Sequence, residues 1–135
     1  MRNVSLLLAA AAVAGCTTGQ PMGRTAEAEQ HLDKLLAGRE AGPAVDCVNT
    51  FRANDMITID DNTVVFKEGS KFYRNDFKDS SCYGIGSGHY ALVTKQYNGS
   101  RLCRGDIAKV QDISTGMVVG SCVLGDFVPY TLASR

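Results

Sequence analysis

The fold class is decided by residues 56–66, which read MITIDDNTVVF. Two runs rich in β-branched residues lie on either side of Asp60-Asp61-Asn62, and the Asp and Asn side chains of that tripeptide favour a turn. The first run is Met56 to Ile59 and the second is Thr63 to Phe66. Strand, turn and strand in this order predict a β-hairpin.

Further β-rich runs lie on both sides of this hairpin. A third strand at 71–74 follows a four-residue loop that contains Gly69. The remaining predicted strands, separated by Gly-, Asn- and Ser-rich turns, are 45–48, 90–94, 107–110, 117–124 and 127–130. Many short strands at short intervals predict a mainly β fold, either a small antiparallel β-barrel or a sandwich.

One helix is predicted before the strands, at 26–36. Thr25 is a suitable N-cap, and Gly38 can end the helix in the left-handed conformation. Its apolar side chains fall on one stripe: Ala28, Leu32, Leu35 and Leu36. A stripe this short predicts that the helix covers one face or opening of a sheet; a partner-binding helix is the alternative.

The N-terminus has the pattern of a bacterial export signal. Arg2 supplies a positive charge, and an apolar run follows from Val4 to Val13. Ten residues span about 15 Å, half of a hydrocarbon core of about 30 Å, so the run is too short to cross a membrane as a helix. The tetrapeptide that follows, Val13-Ala14-Gly15-Cys16, resembles the lipobox, in which the cysteine receives a diacylglycerol group.

We therefore predict three regions: a lipoprotein signal peptide at 1–15, a lipidated Cys16 with a flexible polar tether at 16–25, and one domain at 26–135. An ordinary secreted protein is the alternative. Thr17, a residue other than Asp after the lipidated cysteine, implies sorting to the outer membrane in Gram-negative lipoproteins. The expected location is the cell envelope, at the periplasmic face of the outer membrane.

The cysteine count fits export. Of five cysteines, Cys16 is assigned to the lipid, and the other four make an even set without a C-x-x-C spacing. An exported domain with such a set is expected to carry two disulfides rather than a zinc site. Three pairings are possible. We favour Cys82 with Cys103, which would close one apparent hairpin, and Cys47 with Cys122, which would tie the first strand to a late one.

The sequence contains no recognisable catalytic or cofactor motif. The histidines, His31 and His89, stand in no metal-binding spacing, and Gly86-Ser87-Gly88 lacks the G-x-S-x-G pattern. Asp60 and Asp61 fit a turn better than an acid/base pair. Without the signal peptide the chain has 13 basic and 14 acidic residues, which gives no electrostatic footprint for nucleic acid. No catalytic residue, metal or cofactor is predicted.

Aromatic side chains are the one sign of a binding surface. Tyr and Arg contribute strongly to protein interfaces, and Tyr73, Arg74 and Tyr90 are the nominated residues, since a hairpin and the strand after the glycine loop could present them together. Ordinary packing of the tyrosine rings in the core is the alternative, and the sequence favours it.

The run from Leu36 to the end also resembles a family of small exported bacterial lipoproteins of unknown function. The residues that carry the resemblance are Leu36-Ala37-Gly38-Arg39, Cys47, 59–63, Phe66, 73–75, 102–106 and 120–127. It implies export but no activity. The favoured function is a membrane-tethered, non-enzymatic binding or structural module, with an envelope protein or cell-wall component as its partner. A small periplasmic hydrolase and an enzyme inhibitor are the alternatives.

Overall fold

The computed structural model of the chain describes residues 23–78, 82–97 and 99–134. This part contains one α-helix, α1 (Ala26–Leu36), one 3₁₀ turn (Ile85–Ser87) and ten strands. The strands are β1 (Arg39–Ala41), β2 (Cys47–Asn49), β3 (Asp55–Asp60), β4 (Thr63–Glu68), β5 (Lys71–Asp76), β6 (Tyr90–Thr94), β7 (Arg101–Cys103), β8 (Ile107–Asp112), β9 (Val118–Val123) and β10 (Phe127–Leu132). The signal peptide, Cys16 and most of the predicted tether lie outside the described residues.

The strands form three antiparallel sheets, so the mainly β prediction is confirmed. The largest has the order β1-β10-β5-β4-β3, the second has the order β6-β8-β9, and β2 pairs with β7. The predicted hairpin is β3–β4, and its turn lies where the sequence places it. Eight of the ten strands were predicted; β1 and β7, with three residues each, are too short to show a pattern.

The loop between β4 and β5 has two residues, so the predicted four-residue loop is wrong. Glu68 pairs directly with Lys71, which leaves only Gly69 and Ser70 between the strands. Gly69 has a φ of 58°, a left-handed conformation that a tight hairpin turn requires and that glycine adopts without strain.

Helix α1 has the predicted bounds and covers a face of the five-stranded sheet. The Thr25 hydroxyl accepts a hydrogen bond from the Ala28 N–H at 3.2 Å, and Gly38 follows the helix with a φ of 73°. Ala28 and Leu32 are buried on this face of the sheet. The sheet contributes Ile59, Val65 and Phe72 to the same cluster. The apolar stripe is therefore used inside the domain.

The main core lies on the opposite face of the five-stranded sheet. There Val64, Phe66 and Phe127 share one buried cluster with Ala108 and Val110 of β8. Val48 of β2 and Leu102 of β7 belong to the same cluster. The three sheets thus bury one continuous apolar interior, and α1 closes the outer face of the largest sheet.

Two disulfides are present, as predicted, but the predicted pairing is wrong. Cys47 bonds to Cys103, and Cys82 bonds to Cys122. Cys47 and Cys103 are direct register partners in the β2–β7 pair, with Cα atoms 4.0 Å apart. Chain separation could not reveal this pairing because β7 is not recognisable in the sequence. Once Cys103 is paired with Cys47, Cys122 on the buried side of β9 meets Cys82.

A buried asparagine fixes the corner where the chain passes from β9 to β10. The side chain of Asn75 is fully buried, donates a hydrogen bond to the Gly125 carbonyl at 2.8 Å and accepts one from the Gly125 N–H at 3.0 Å. A Cβ atom at position 125 would overlap the carbonyl oxygen of Asp76. The corner therefore needs both this amide and this glycine.

Candidate functional site

The structure does not bring the nominated residues Tyr73, Arg74 and Tyr90 together on one surface. Tyr73 and Tyr90 are half-buried and pack against the main core. Arg74 pairs with Val65 and so lies on the helix side of the sheet, where its guanidinium contacts Asp76 at 3.0 Å. The tyrosine rings contribute to the core, and the arginine belongs to a charge network.

Tyr73 also has a polar contact at the edge of the core. Its hydroxyl donates a hydrogen bond to Glu68 at 3.2 Å. Burial raises the pKa of this phenol above its ordinary value of 10.0, and the charge of Glu68 raises it further. The shift extends the range in which Tyr73 is neutral to more alkaline pH.

The residues considered for catalysis serve as turn-forming groups. The Asp60 carboxylate accepts from the Asn62 N–H at 2.8 Å, and Asp61 accepts from the Gly86 N–H at 3.0 Å. The Ser87 hydroxyl donates to the Gly84 carbonyl at 2.7 Å and accepts from the backbone N–H of His89. Among the described contacts, no hydrogen bond joins the Ser87 hydroxyl to the imidazole of His89, so these two side chains do not form a catalytic Ser–His pair.

A second group near His89 also forms a turn. Asp112 accepts hydrogen bonds from the Ser114 hydroxyl at 2.6 Å and from the Thr115 N–H at 2.9 Å. The Ser114 and Thr115 hydrogen bonds hold the pKa of the Asp112 carboxyl below its ordinary value. His89, Asp112 and Ser114 border a shallow hollow of about 380 Å³, but the serine is bound to the carboxylate rather than to the histidine. In residues 23–78, 82–97 and 99–134 no cluster of three His, Cys, Asp or Glu side chains is placed to hold a metal ion.

A half-buried arginine joins the start of the domain to the five-stranded sheet. The Arg24 guanidinium contacts Asp60 at 2.7 Å, Glu29 at 3.1 Å and Asp76 at 3.7 Å, and also donates to the hydroxyl of the buried Thr63. We call this set the Arg24 clamp. Burial alone lowers the pKa of the guanidinium, but the hydrogen bonds and charges of Asp60 and Glu29 outweigh it and give a net rise.

The clamp lies in the region that the sequence assigned to the flexible tether. Arg24 and Thr25 are the last two residues of that region, and both make side-chain contacts with the folded domain. The signal that could have revealed this is the charge pattern of Arg24 followed by Glu29, since an arginine beside a helix start that carries acidic residues has partners nearby. Next to the clamp, an open hollow of about 640 Å³ is bordered by Glu27, His31 and Asp61.

Three exposed apolar side chains lie on one side of the three-stranded sheet. Val93 of β6, Ile107 of β8 and Val118 of β9 point away from the core and are 42 to 55% exposed. The register places them on one side, because Val93 pairs with Lys109 and Val118 pairs with Gln111, which are two and four residues from Ile107 along β8. We call this side the outer face.

Strand β9 forms an edge of this sheet. It pairs with β8 along its length, and on its other side the described residues give it a single bridge, between Val123 and Lys78. A β-bulge at Val119 interrupts the alternation, so that the four residues from Val118 to Ser121 are all exposed. Simple alternation would place half of these side chains inside, so the sequence of the predicted strand does not indicate that all four are exposed.

Comparison of the chain with protein-family models, curated proteins and solved structures finds no match. Within the described residues, no helix has the length and apolar character needed to cross a membrane. We therefore base the proposed function on the surface of the domain.

Proposed function

We propose that this protein is a lipid-anchored envelope protein whose domain binds a partner protein along the edge of β9. The observation that carries the proposal is the exposed stretch from Val118 to Ser121 on an edge strand, beside the apolar outer face. For the fold we propose a sandwich rather than a closed barrel, because the two larger sheets bury their side chains in one shared core.

The backbone of an edge strand favours one kind of partner. Its outward N–H and C=O groups are matched by another extended segment, which adds to the sheet as a new strand. Proteins usually protect such an edge with lysine or proline. Residues 117–125 contain no charged residue and no proline, so the complementary partner segment is uncharged and apolar where it meets Val118 and Val119.

The anchor is proposed from the export signal and the lipobox. Two acyl chains on Cys16 would hold the protein at the periplasmic face of the outer membrane, since each buried methylene contributes about 0.8 kcal/mol. Mass spectrometry of protein extracted from membranes should then find an acylated N-terminal Cys16. A Cys16→Ser variant that remains in the membrane fraction contradicts the anchor.

Site-specific cross-linking tests the binding edge. A photoreactive residue at position 118 in the anchored protein should capture a partner protein in its own envelope. The same residue at position 132 is the matched control, because Leu132 is 58% exposed but lies on the five-stranded sheet. We expect a cross-link from position 118 and none from position 132.

A charge placed in the edge should remove the interaction. Val119→Lys, in the protein that carries the photoreactive residue at position 118, is expected to weaken capture about tenfold, which corresponds to about 1.4 kcal/mol, because the lysine must be desolvated when a strand is added. Leu132→Lys should leave capture unchanged. Equal capture from both positions, or a cross-link only to lipid or to a second copy of this chain, contradicts the proposal.

A further inference from the structure

We infer that the domain meets the membrane with one defined surface, formed by Tyr83, the loop 84–89 and Ile113. We call it the tether-side surface. The inference rests on the proposed lipid anchor and names the part of the domain that faces the bilayer, as well as the chemistry of the contact. The occupant is the headgroup region of a zwitterionic lipid bilayer.

The Arg24 clamp fixes the start of the chain to the domain. Because Arg24 is bound to Asp60 and Glu29 with its own side chain only 16% exposed, the chain is attached to the domain at a fixed point. Seven residues lie between the anchored Cys16 and Arg24, so eight steps along the chain of about 3.5 Å each reach at most about 28 Å. A domain of this size is roughly 35 Å across, so the anchor keeps the region around Arg24 near the bilayer.

Two exposed apolar side chains lie near the two ends of the loop 84–89. Tyr83 is 84% exposed, and its neighbour Cys82 donates a backbone hydrogen bond to Asp61 at 2.7 Å. Gly86 borders the same hollow as Arg24, which places this loop beside the clamp. Ile113 is 63% exposed and donates its N–H to the carbonyl of His89, at the other end of the loop.

These side chains are suited to a membrane interface. A tyrosine places its ring among acyl chains and its hydroxyl among headgroups, and an isoleucine adds apolar area beside it. The loop between them contains Gly84, Gly86 and Gly88, which have no side chains to hold the backbone away from a flat surface. Exposed aromatic and aliphatic groups beside an anchor point gain most from this contact, because the anchor has already brought them close.

Charge selects the lipid. The charged groups that border the hollow next to the Arg24 clamp include Arg24, Asp60, Glu27 and Asp61. Asp60 neutralises Arg24, which leaves the negative charges of Glu27 and Asp61. Anionic headgroups would be repelled, whereas a zwitterionic surface is not. The contact is therefore apolar, and its strength should depend little on salt.

A single tryptophan can test the contact, because the chain has none. The full-length acylated protein, purified from membranes as Tyr83→Trp, is placed in phosphatidylcholine vesicles that contain a lipid-bound quencher near the headgroups. Tyr97→Trp is the matched control, since Tyr97 is 69% exposed but follows Gln96, which borders a different hollow with Thr50 and Asn54. We expect the emission at position 83 to shift to the blue and to be quenched about twofold more than that at position 97.

A second variant tests the surface itself. Ile113→Ser in the Tyr83→Trp protein should reduce the quenching at position 83 towards the level of position 97, because Ile113 supplies exposed apolar area to the contact, while circular dichroism shows the same β-sheet content. Equal quenching at positions 83 and 97, or quenching at position 83 that Ile113→Ser leaves unchanged, overturns the inference. Cross-linking from position 118 that persists in either case shows that the partner-binding edge stands while the membrane contact does not. A Cys16 without acyl chains overturns the anchor and the membrane contact together.

Discussion

Replacement of Asn75 by alanine should unfold the corner between β9 and β10 at a cost that can be estimated from two hydrogen bonds. The Asn75 amide is fully buried and binds both the N–H and the carbonyl of Gly125, at 3.0 and 2.8 Å. Asn75→Ala removes both partners and leaves two buried backbone groups unsatisfied. Each such group costs about 1–3 kcal/mol, so the free energy of unfolding should fall by about 3 kcal/mol after partial relaxation.

The loss should be visible in thermal and urea unfolding of the disulfide-bonded protein. For a domain of this size, about 3 kcal/mol lowers the Tm by roughly 12 °C. Asn54→Ala is the matched control, because Asn54 is exposed, and it should change the unfolding free energy by less than about 0.5 kcal/mol. A loss below about 1 kcal/mol in Asn75→Ala would refute the reasoning that this amide holds the corner.

Three further outcomes are expected. Peptide mapping without reduction should recover Cys47 linked to Cys103 and Cys82 linked to Cys122. A peptide that joins Cys82 to Cys103 would contradict the fold. Each bond closes a long loop and should contribute about 4 kcal/mol to the free energy of unfolding. Gly125→Ala should destabilise the domain by about 2–3 kcal/mol, since the added Cβ meets the Asp76 backbone. Gly120→Ala should be tolerated, because the nearest atom to its added Cβ is 3.9 Å away. Equal melting temperatures for the two variants would contradict this expectation. The pKa of Tyr73 is raised, so at alkaline pH the folded state keeps a proton that the unfolded chain releases. This contribution to stability is complete below pH about 10 and is lost as the pH rises through the folded pKa. Tyr73→Phe should remove that alkaline loss from urea titrations, and an unchanged pH profile would count against the assignment.

Local chemistry made the hairpin and the helix predictable. The turn Asp60-Asp61-Asn62 forms because the Asp60 side chain accepts a hydrogen bond from the Asn62 N–H, an interaction that depends only on neighbours in the sequence. Thr25 caps α1 for the same reason. In both cases the residues that decide the structure lie within a few positions of one another.

Long-range pairing was not predictable from one sequence. The Cys47–Cys103 bond depends on the pairing of two three-residue strands that are 56 residues apart, and neither strand carries enough alternation to be aligned with the other. The choice of the wrong pairing followed from the assumption that a disulfide would close the apparent hairpin between Cys82 and Cys103.

The candidate surfaces were missed for two different reasons. Tyr73 and Tyr90 looked available because tyrosine is common at interfaces, but the main core absorbs both rings. The exposure of Val118 and Val119 depends on a β-bulge in an edge strand, which the sequence of β9 does not indicate. Burial depends on which strands lie above and below a residue, and that is decided by the tertiary fold.

Backbone hydrogen exchange across β9 tests the central proposal most directly. The anchored protein is compared with and without its cross-linked partner, and the exchange of the amides at 118–121 is followed. If a partner strand adds to this edge, amides that face outward in the free protein become hydrogen-bonded and should exchange at least about tenfold more slowly, while amides of β1, at the edge of the other sheet, keep their rates. Unchanged exchange at 118–121 in the bound protein, or slower exchange at β1 instead, would contradict the account.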